Sequence, residues 1–141
     1  MEKKKVLVSA CLLGEACRYD GKSKPCERVI ALFEKYELIA VCPECEGGLP
    51  TPRVPSEICL DRVINREGVD VTDNYQRGAE CALQVCRENG ITLAILKSRS
   101  PSCGKGQIYD GSFSGRLISG NGTTADLLIK NGITVLTEEE I

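Results

Sequence analysis

The chain has 141 residues, 18 Lys and Arg against 20 Asp and Glu, and a formal net charge of −2. That is the size of one domain with a core needing no staples, and the balance excludes a general drive toward nucleic acid or anionic membrane. Apolar runs are short, and residues 1–14 (MEKKKVLVSACLLG) lack a full apolar segment followed by a cleavage site. Neither a membrane span nor a signal peptide is expected, and the reading is cytoplasmic.

Residues 6–8 (VLV) form a short buried strand that runs straight into Ser9, Ala10 and Cys11. In open α/β sheets ligands bind beyond the carboxyl ends of the strands. A loop follows with Cys17, Arg18, Tyr19, Asp20 and Gly21. Residues 27–36 (ERVIALFEKY) set Val29, Ile30, Leu32 and Phe33 at helical spacing, and Pro25 suits the helix start. Residues 37–41 (ELIAV) are a second buried strand, ending on Cys42, Pro43 and Glu44. The run GGLPTPRVP, 47–55, dictates a fixed, extended loop and reads as a wall of a site.

Residues 58–64 and 69–71 alternate apolar and polar around 65–68, the pattern of a small β-hairpin or edge strand. Thr72 or Asp73 is placed to cap a long helix over 74–88, with Ala79, Ala82, Leu83 and Cys86 on one stripe and Asn89-Gly90 as its end. Residues 91–96 (ITLAIL) make a third buried strand leading to Lys97 and SRSPSCG. The Gly- and Ser-rich stretch 105–122 reads as a structured loop or irregular hairpin over the rim. A last helix runs from Thr123 or Thr124 to Lys130, residues 133–136 are the fourth strand, and the acidic tail Glu138–Glu140 is read as solvated.

This alternation predicts one α/β domain over 1–141. The expected fold is Rossmann-like and three-layered, with a mainly parallel sheet of about four strands plus a small β-hairpin. Cys11, Cys42 and Cys103 each follow a strand and so share one edge of that sheet.

Nine cysteines cannot all pair within a chain, and a reducing compartment argues against a disulfide framework. There is no histidine, so the commonest general base and nitrogen ligand are missing. A metal here is held by thiolate, which favours zinc or iron–sulfur. Cys59, Cys81 and Cys86 read as small buried apolar residues, and Cys26 as structural and partly exposed. Cys42 and Cys45 form a C-x-x-C with no second pair at zinc-ribbon spacing. Residues 46–48 lead into loop where a thioredoxin-type pair needs a helix, so Cys45 reads as a passenger.

Cys11, Cys42 and Cys103 fit a convergent three-thiolate site, and three ligands leave the open position a catalytic metal needs. The competing reading is buried thiols plus one redox-sensitive cysteine. Cys17 is either a fourth ligand or a nearby proton donor. Glu44 is either a surface or capping carboxylate or a general base. Ser100 and Ser102 either orient a substrate or bond to backbone. Arg18, Asp20, Arg53 and Lys97 share the rim loops, where they meet a polar ligand or pair with one another.

The ordered motifs SACLLG, CRYDG, CPE, GGLPTPRVPSEI, LKSRSPSCG and IYDGSFSG cover nearly the whole chain and resemble the thiouracil desulfidases, a widespread bacterial family long labelled only as a domain of unknown function. The resemblance implies a single α/β domain that binds a [4Fe–4S] cluster through three cysteines and removes sulfur from thiolated pyrimidines. Carried over by motif, the ligands are Cys11, Cys42 and Cys103, with Cys17 as a fourth or substitute ligand, and Glu44 and Ser100 take the catalytic positions. Cys45 stands where relatives are expected to have an apolar residue. The implied chemistry binds the substrate sulfur at the open iron and replaces it hydrolytically with oxygen. The implied partner is a small thiolated base or nucleotide. Two other readings are a thiol-redox or zinc-binding regulator without activity and a desulfidase acting on thiolated tRNA. Low aromatic content (4%) and no basic excess speak against RNA.

Overall fold

Val6, Leu7 and Val8 are all fully buried, because the first strand is covered on both faces. A computed structural model describes residues 3–141; Met1 and Glu2, on which part of the signal-peptide reading falls, lie outside the described residues. Its main sheet has four strands: β1 (Lys4–Ser9), β2 (Tyr36–Val41), β5 (Leu93–Leu96) and β8 (Thr134–Thr137). They lie in the order β2-β1-β5-β8 and every pairing is parallel. α1 (Glu27–Ile30) connects β1 to β2, α3 (Thr72–Asn89) precedes β5, and α4 (Thr123–Lys130) precedes β8.

The period of two along the strands sorts the core into two layers. Leu7, Ala94 and Leu96 pack with Ala82, Leu83 and Cys86 of α3 and Leu128 of α4. Val6, Val8 and Ile95 pack the other way, with Leu12 and Val29. This is the expected three-layer arrangement. The chain leaves β1 in one direction and reaches β5 and β8 in the other, so the strand order reverses between β1 and β5. A crevice opens at the carboxyl ends of the strands at such a point.

Two small antiparallel sheets sit apart from the main one: β3 (Ser56–Cys59) with β4 (Arg62–Asn65), and β6 (Gln107–Tyr109) with β7 (Leu117–Ser119). The hairpin expected around 65–68 forms, with Ile64 bridging Asp70 antiparallel and the Val71 amide donating to the Val63 carbonyl. A turn at Leu60-Asp61 that the sequence reading lacked also splits the alternating run 58–64 in two. Leu60 takes φ 58 there and is 94% exposed. Two-residue hairpin turns ask for positive φ, which ordinarily selects Gly or Asn, so the sequence carried no signal of it. Asn65 makes a second turn, accepting from the amides of Glu67 and Val69.

Other boundaries move for identifiable reasons. The helix expected over 27–36 tightens into a 3₁₀ turn at Ala31–Glu34. Val29 is its one fully buried side chain, too small an apolar face to hold a longer α-helix. The N-cap of α3 is Val71, not Thr72 or Asp73, and the Asp70 carboxylate just before it accepts from the Thr72 amide. The Thr72 hydroxyl instead accepts from the Val63 amide. Its other end is as expected, with Gly90 left-handed at φ 64. In the acidic tail Glu139 and Glu140 are exposed as expected, whereas Glu138 is half-buried. Glu138 accepts from the amide and hydroxyl of Ser98 and pairs with Lys97 at 3.2 Å, while Glu139 and Glu140 pair with Arg99 and Lys105. Of the cysteines read as buried, only Cys86 is; Cys59 and Cys81 are exposed, and every cysteine is a free thiol.

Candidate active site

β1 ends on Ser9, and the 3₁₀ turn Ala10–Leu13 carries Cys11 into the crevice. The Ser9 hydroxyl accepts from the Lys97 amide at 2.9 Å, which ties the end of β1 to the end of β5. β2 ends at Val41, and Cys42 caps α2 (Pro43–Glu46), a single helical turn with Pro43 in its first positions. The C-x-x-C pair therefore does open a helix, contrary to the sequence reading. Proline's fixed φ is suited to a first helical position even before a glycine-rich loop.

α2 is set against α3 by close backbone approach. A Cβ on Gly78 would lie 1.9 Å from the Pro43 carbonyl oxygen. Asn74 Nδ2 and Arg77 Nη2 both donate to the Gly47 carbonyl. This packing fixes where Cys42 and Glu44 point. After β5, the loop through Ser100 turns back so that Cys103 lies beneath it, buried. The Ser100 hydroxyl oxygen accepts from the amides of Ser102 and Cys103 at 3.1 and 3.0 Å. Its own proton stays free to donate.

The three strand ends enclose a cavity of about 540 Å³ lined by Cys11, Cys17, Cys42, Cys103, Glu44 and Ser100, among others. All four thiols named from the sequence thus face one space, with the carboxylate and the hydroxyl beside them. Arg18, Arg53 and Lys97 also line it. Asp20 does not; it accepts from the Lys22 amide in an exposed turn. Ser102 is fully buried and shares a hydrogen bond of 2.7 Å with Thr124, a structural role. Cys45 lies outside the cavity, against the Thr51 hydroxyl and Arg53.

Glu44 is the most firmly held group. Its Oε2 accepts from the Tyr75 hydroxyl at 2.8 Å and from Arg53 Nε at 3.3 Å. Burial and the adjacent Glu44 charge push the Tyr75 phenol well above its ordinary range, so it stays a donor. Burial works against the charge on Arg53, yet Glu44 beside it holds the guanidinium's pKa above its usual value. Arg53 Nη2 also donates to the Cys17 carbonyl at 3.0 Å, joining the carboxylate to the loop that carries Cys17. Tyr75 was missed in the sequence, although it shares the buried stripe of α3 with Ala79, Leu83 and Cys86. A tyrosine on such a stripe needs a partner for its hydroxyl, and that was the available signal.

Three of the cavity thiols, Cys17, Cys42 and Cys103, are harder to ionise than a free cysteine. Hydrogen bonding to Cys11 and burial raise the Cys17 thiol to about 11, partly offset by a hydrogen bond with Cys42. The hydrogen bond with Cys17 and burial raise Cys42 further, and burial pushes Cys103 up to about 12. Any metal group binding here must displace protons as thiolates form. Among the described residues no three Cys, Asp or Glu side chains come close enough to share one ion. A cluster does not ask this of its ligands, because it bonds each thiolate at a different iron. An all-sulfur donor set spread around a cavity therefore fits a cluster better than a single zinc.

The fold and site define an α/β protein whose chemistry sits at the carboxyl edge of a parallel sheet and whose soft donors are all thiols. Residues 6–140 match the family described as 2-thiouracil desulfurase, and the chain belongs to that family. It is 40% identical to the uncharacterized protein YbbK of Bacillus subtilis (strain 168), over 96% of this chain and 97% of that one. It is similar to the solved structure of the [4Fe-4S]-dependent thiouracil desulfidase TudS, with a TM-score of 0.93 and 48% identity over 99% of this chain and 93% of that one. Among the described residues no helix is long and apolar enough to cross a membrane.

Proposed function

We propose that this protein is a [4Fe–4S]-dependent desulfidase that converts a thiolated pyrimidine to its oxo form. The observation that carries this reading is the placement of Glu44, pinned by Tyr75 and Arg53, in the same cavity as Cys11, Cys42 and Cys103. Those three cysteines hold the cluster, and Cys17 stands beside two of them. When bound, the cluster supplies an open iron, a soft Lewis acid suited to a thiocarbonyl sulfur.

The chain's own residues do the rest. Glu44, as carboxylate, accepts a proton from the water that attacks the thiocarbonyl carbon. The Ser100 hydroxyl, fixed by the two amides it accepts from, donates toward the substrate or the attacking water. Pro43, Pro55 and Pro101 line the cavity with rigid backbone. Water and thiocarbonyl give carbonyl and hydrogen sulfide, with no net redox change.

The test is an ultraviolet–visible spectrum with iron and sulfide assays on protein purified or reconstituted without oxygen, followed by 2-thiouracil turnover. A brown protein with about four irons per chain that releases sulfide supports the reading. Protein that takes up no iron after reconstitution overturns it, and stoichiometric zinc in a colourless anaerobic preparation favours a thiol regulator instead.

A further inference from the structure

Phe113 is in a conformation that its residue type resists. Its φ is 56°, in the left-handed region that costs a side-chain-bearing residue energy and persists only where the surroundings enforce it. Here the enforcing group is Glu57. Its side chain is buried, and one carboxylate oxygen accepts from the Gly111 amide at 3.0 Å and the Phe113 amide at 3.1 Å. Gly111 sits so tightly on β3 that a Cβ would lie 2.9 Å from the Ile58 carbonyl oxygen. The loop is clasped to the small hairpin at both points. The Arg66 guanidinium lies 5.4 Å from the Phe113 ring centroid, covering one face of it. Phe113 and Arg66 both line the thiol cavity.

We propose that Phe113 is the stacking platform for the substrate's heterocyclic ring, with Arg66 backing its far face and Glu57 acting as a positioning residue. This rests on the desulfidase reading and adds how the ring is gripped. A planar pyrimidine whose sulfur points at the cysteines must lay its ring against the cavity wall. Phe113 supplies an aromatic face there, already ordered before the ligand arrives. Stacking tolerates different ring substituents, so it selects a flat heterocycle and leaves the position of the sulfur to the cysteine side.

The experiment compares iron-loaded wild type with Phe113→Tyr, Phe113→Leu, Phe113→Met and Phe113→Gly. It reads KM and kcat with 2-thiouracil, the Kd of uracil by calorimetry, iron content and thermal midpoint. The leucine and methionine variants are expected to raise KM and the uracil Kd about 5- to 100-fold with kcat within about threefold, and tyrosine to restore both. Methionine carries the test where leucine does not fold. Phe113→Gly, free of the backbone strain, is expected to unfold no earlier than Phe113→Leu and yet bind uracil no better. Leucine and methionine variants that match wild type in KM and Kd overturn the proposal while the desulfidase reading stands. Iron-loaded wild type that binds uracil through Phe113 and turns over nothing overturns the desulfidase reading alone. Wild type that neither binds nor turns over overturns both.

Discussion

Tyr75 donates to Glu44 across the join of two helices, 2.8 Å from a phenol in the core to a carboxylate in the cavity. The phenol is 1% exposed and the carboxylate side chain 17% exposed, so the bond reaches from dry core to working surface. A buried donor to a charged acceptor contributes roughly 1.5–3 kcal/mol. Tyr75→Phe leaves the packing but frees Glu44 to swing about Arg53. The expected result is a fall in kcat of about 10- to 100-fold with KM within about twofold and iron content unchanged. Steady-state kinetics beside an iron assay checks it. Equal losses in iron and kcat would assign Tyr75 a purely structural role.

Glu44 itself separates chemistry from support. Glu44→Ala strands a buried guanidinium and a buried hydroxyl, so thermal unfolding should show a loss of about 2–3 kcal/mol as well as lost turnover. Glu44→Gln keeps an acceptor for Tyr75 and should cost about 1 kcal/mol or less, while turnover falls at least about a hundredfold because an amide cannot take a proton. Both should load iron normally. A glutamine variant with near-wild-type turnover removes Glu44 from the chemistry.

The parts legible in the sequence are those that short-range pattern dictates. Apolar runs at 6–8, 37–41, 91–96 and 133–136 mark the four parallel strands, and the residue after each of the first and third leads to a thiol in the cavity. What was illegible depends on partners far along the chain. Glu138 in a run of acids looks solvated until Ser98 and Lys97 are folded against it. Leu60 gives no sign of a turn because its positive φ is imposed by the strand pairing on either side. Glu57 and Phe113, 56 residues apart, meet only through the fold.

Gly78 tests whether the α2–α3 contact positions the site. The nearest approach, 1.9 Å from an added Cβ to the Pro43 carbonyl oxygen, is to backbone that has no rotamer to yield. Gly78→Ala gains helix propensity of about 1 kcal/mol, but the overpacking should cost about 1–3 kcal/mol and push α2 outward. The expected outcome is a net loss of stability together with reduced iron uptake, since Cys42 moves with α2. A variant as stable as wild type with full iron content would mean that α2 can shift without disturbing the site.

Glu138 gives a pH signature. Burial alone would raise its pKa, but the Ser98 amide and the Lys97 ammonium outweigh that and hold it below the ordinary 4.5. A carboxyl depressed in the folded state adds stability that is fully present above 4.5 and lost as pH falls through the lower folded value. Glu138→Gln should therefore be less stable than wild type at pH 7, by about 1–2 kcal/mol for a half-buried group, and the gap should narrow as pH falls through the depressed folded value. Chemical denaturation at a series of pH values reads this directly. A gap that stays constant down to the lowest pH would show that the carboxylate charge contributes nothing.

Alanine scanning of the thiols decides the ligand set. Cys11, Cys42 and Cys103 follow three different strands and all line the cavity. Cys17 lies within hydrogen-bond reach of both Cys11 and Cys42, so it shares their side and adds no new direction. Cys45 is not among the residues lining the cavity; its Sγ contacts the Thr51 hydroxyl, Arg53 and the Cys17 carbonyl. Three ligands spread around a cluster restrain it better than three gathered on one flank. Cys11→Ala, Cys42→Ala and Cys103→Ala are thus expected to lose iron and activity together, Cys45→Ala to keep both, and Cys17→Ala to keep iron while changing turnover. Iron per chain after anaerobic reconstitution is the measurement. Loss of iron in Cys17→Ala with full iron in Cys103→Ala would put Cys17 in the ligand set in place of Cys103.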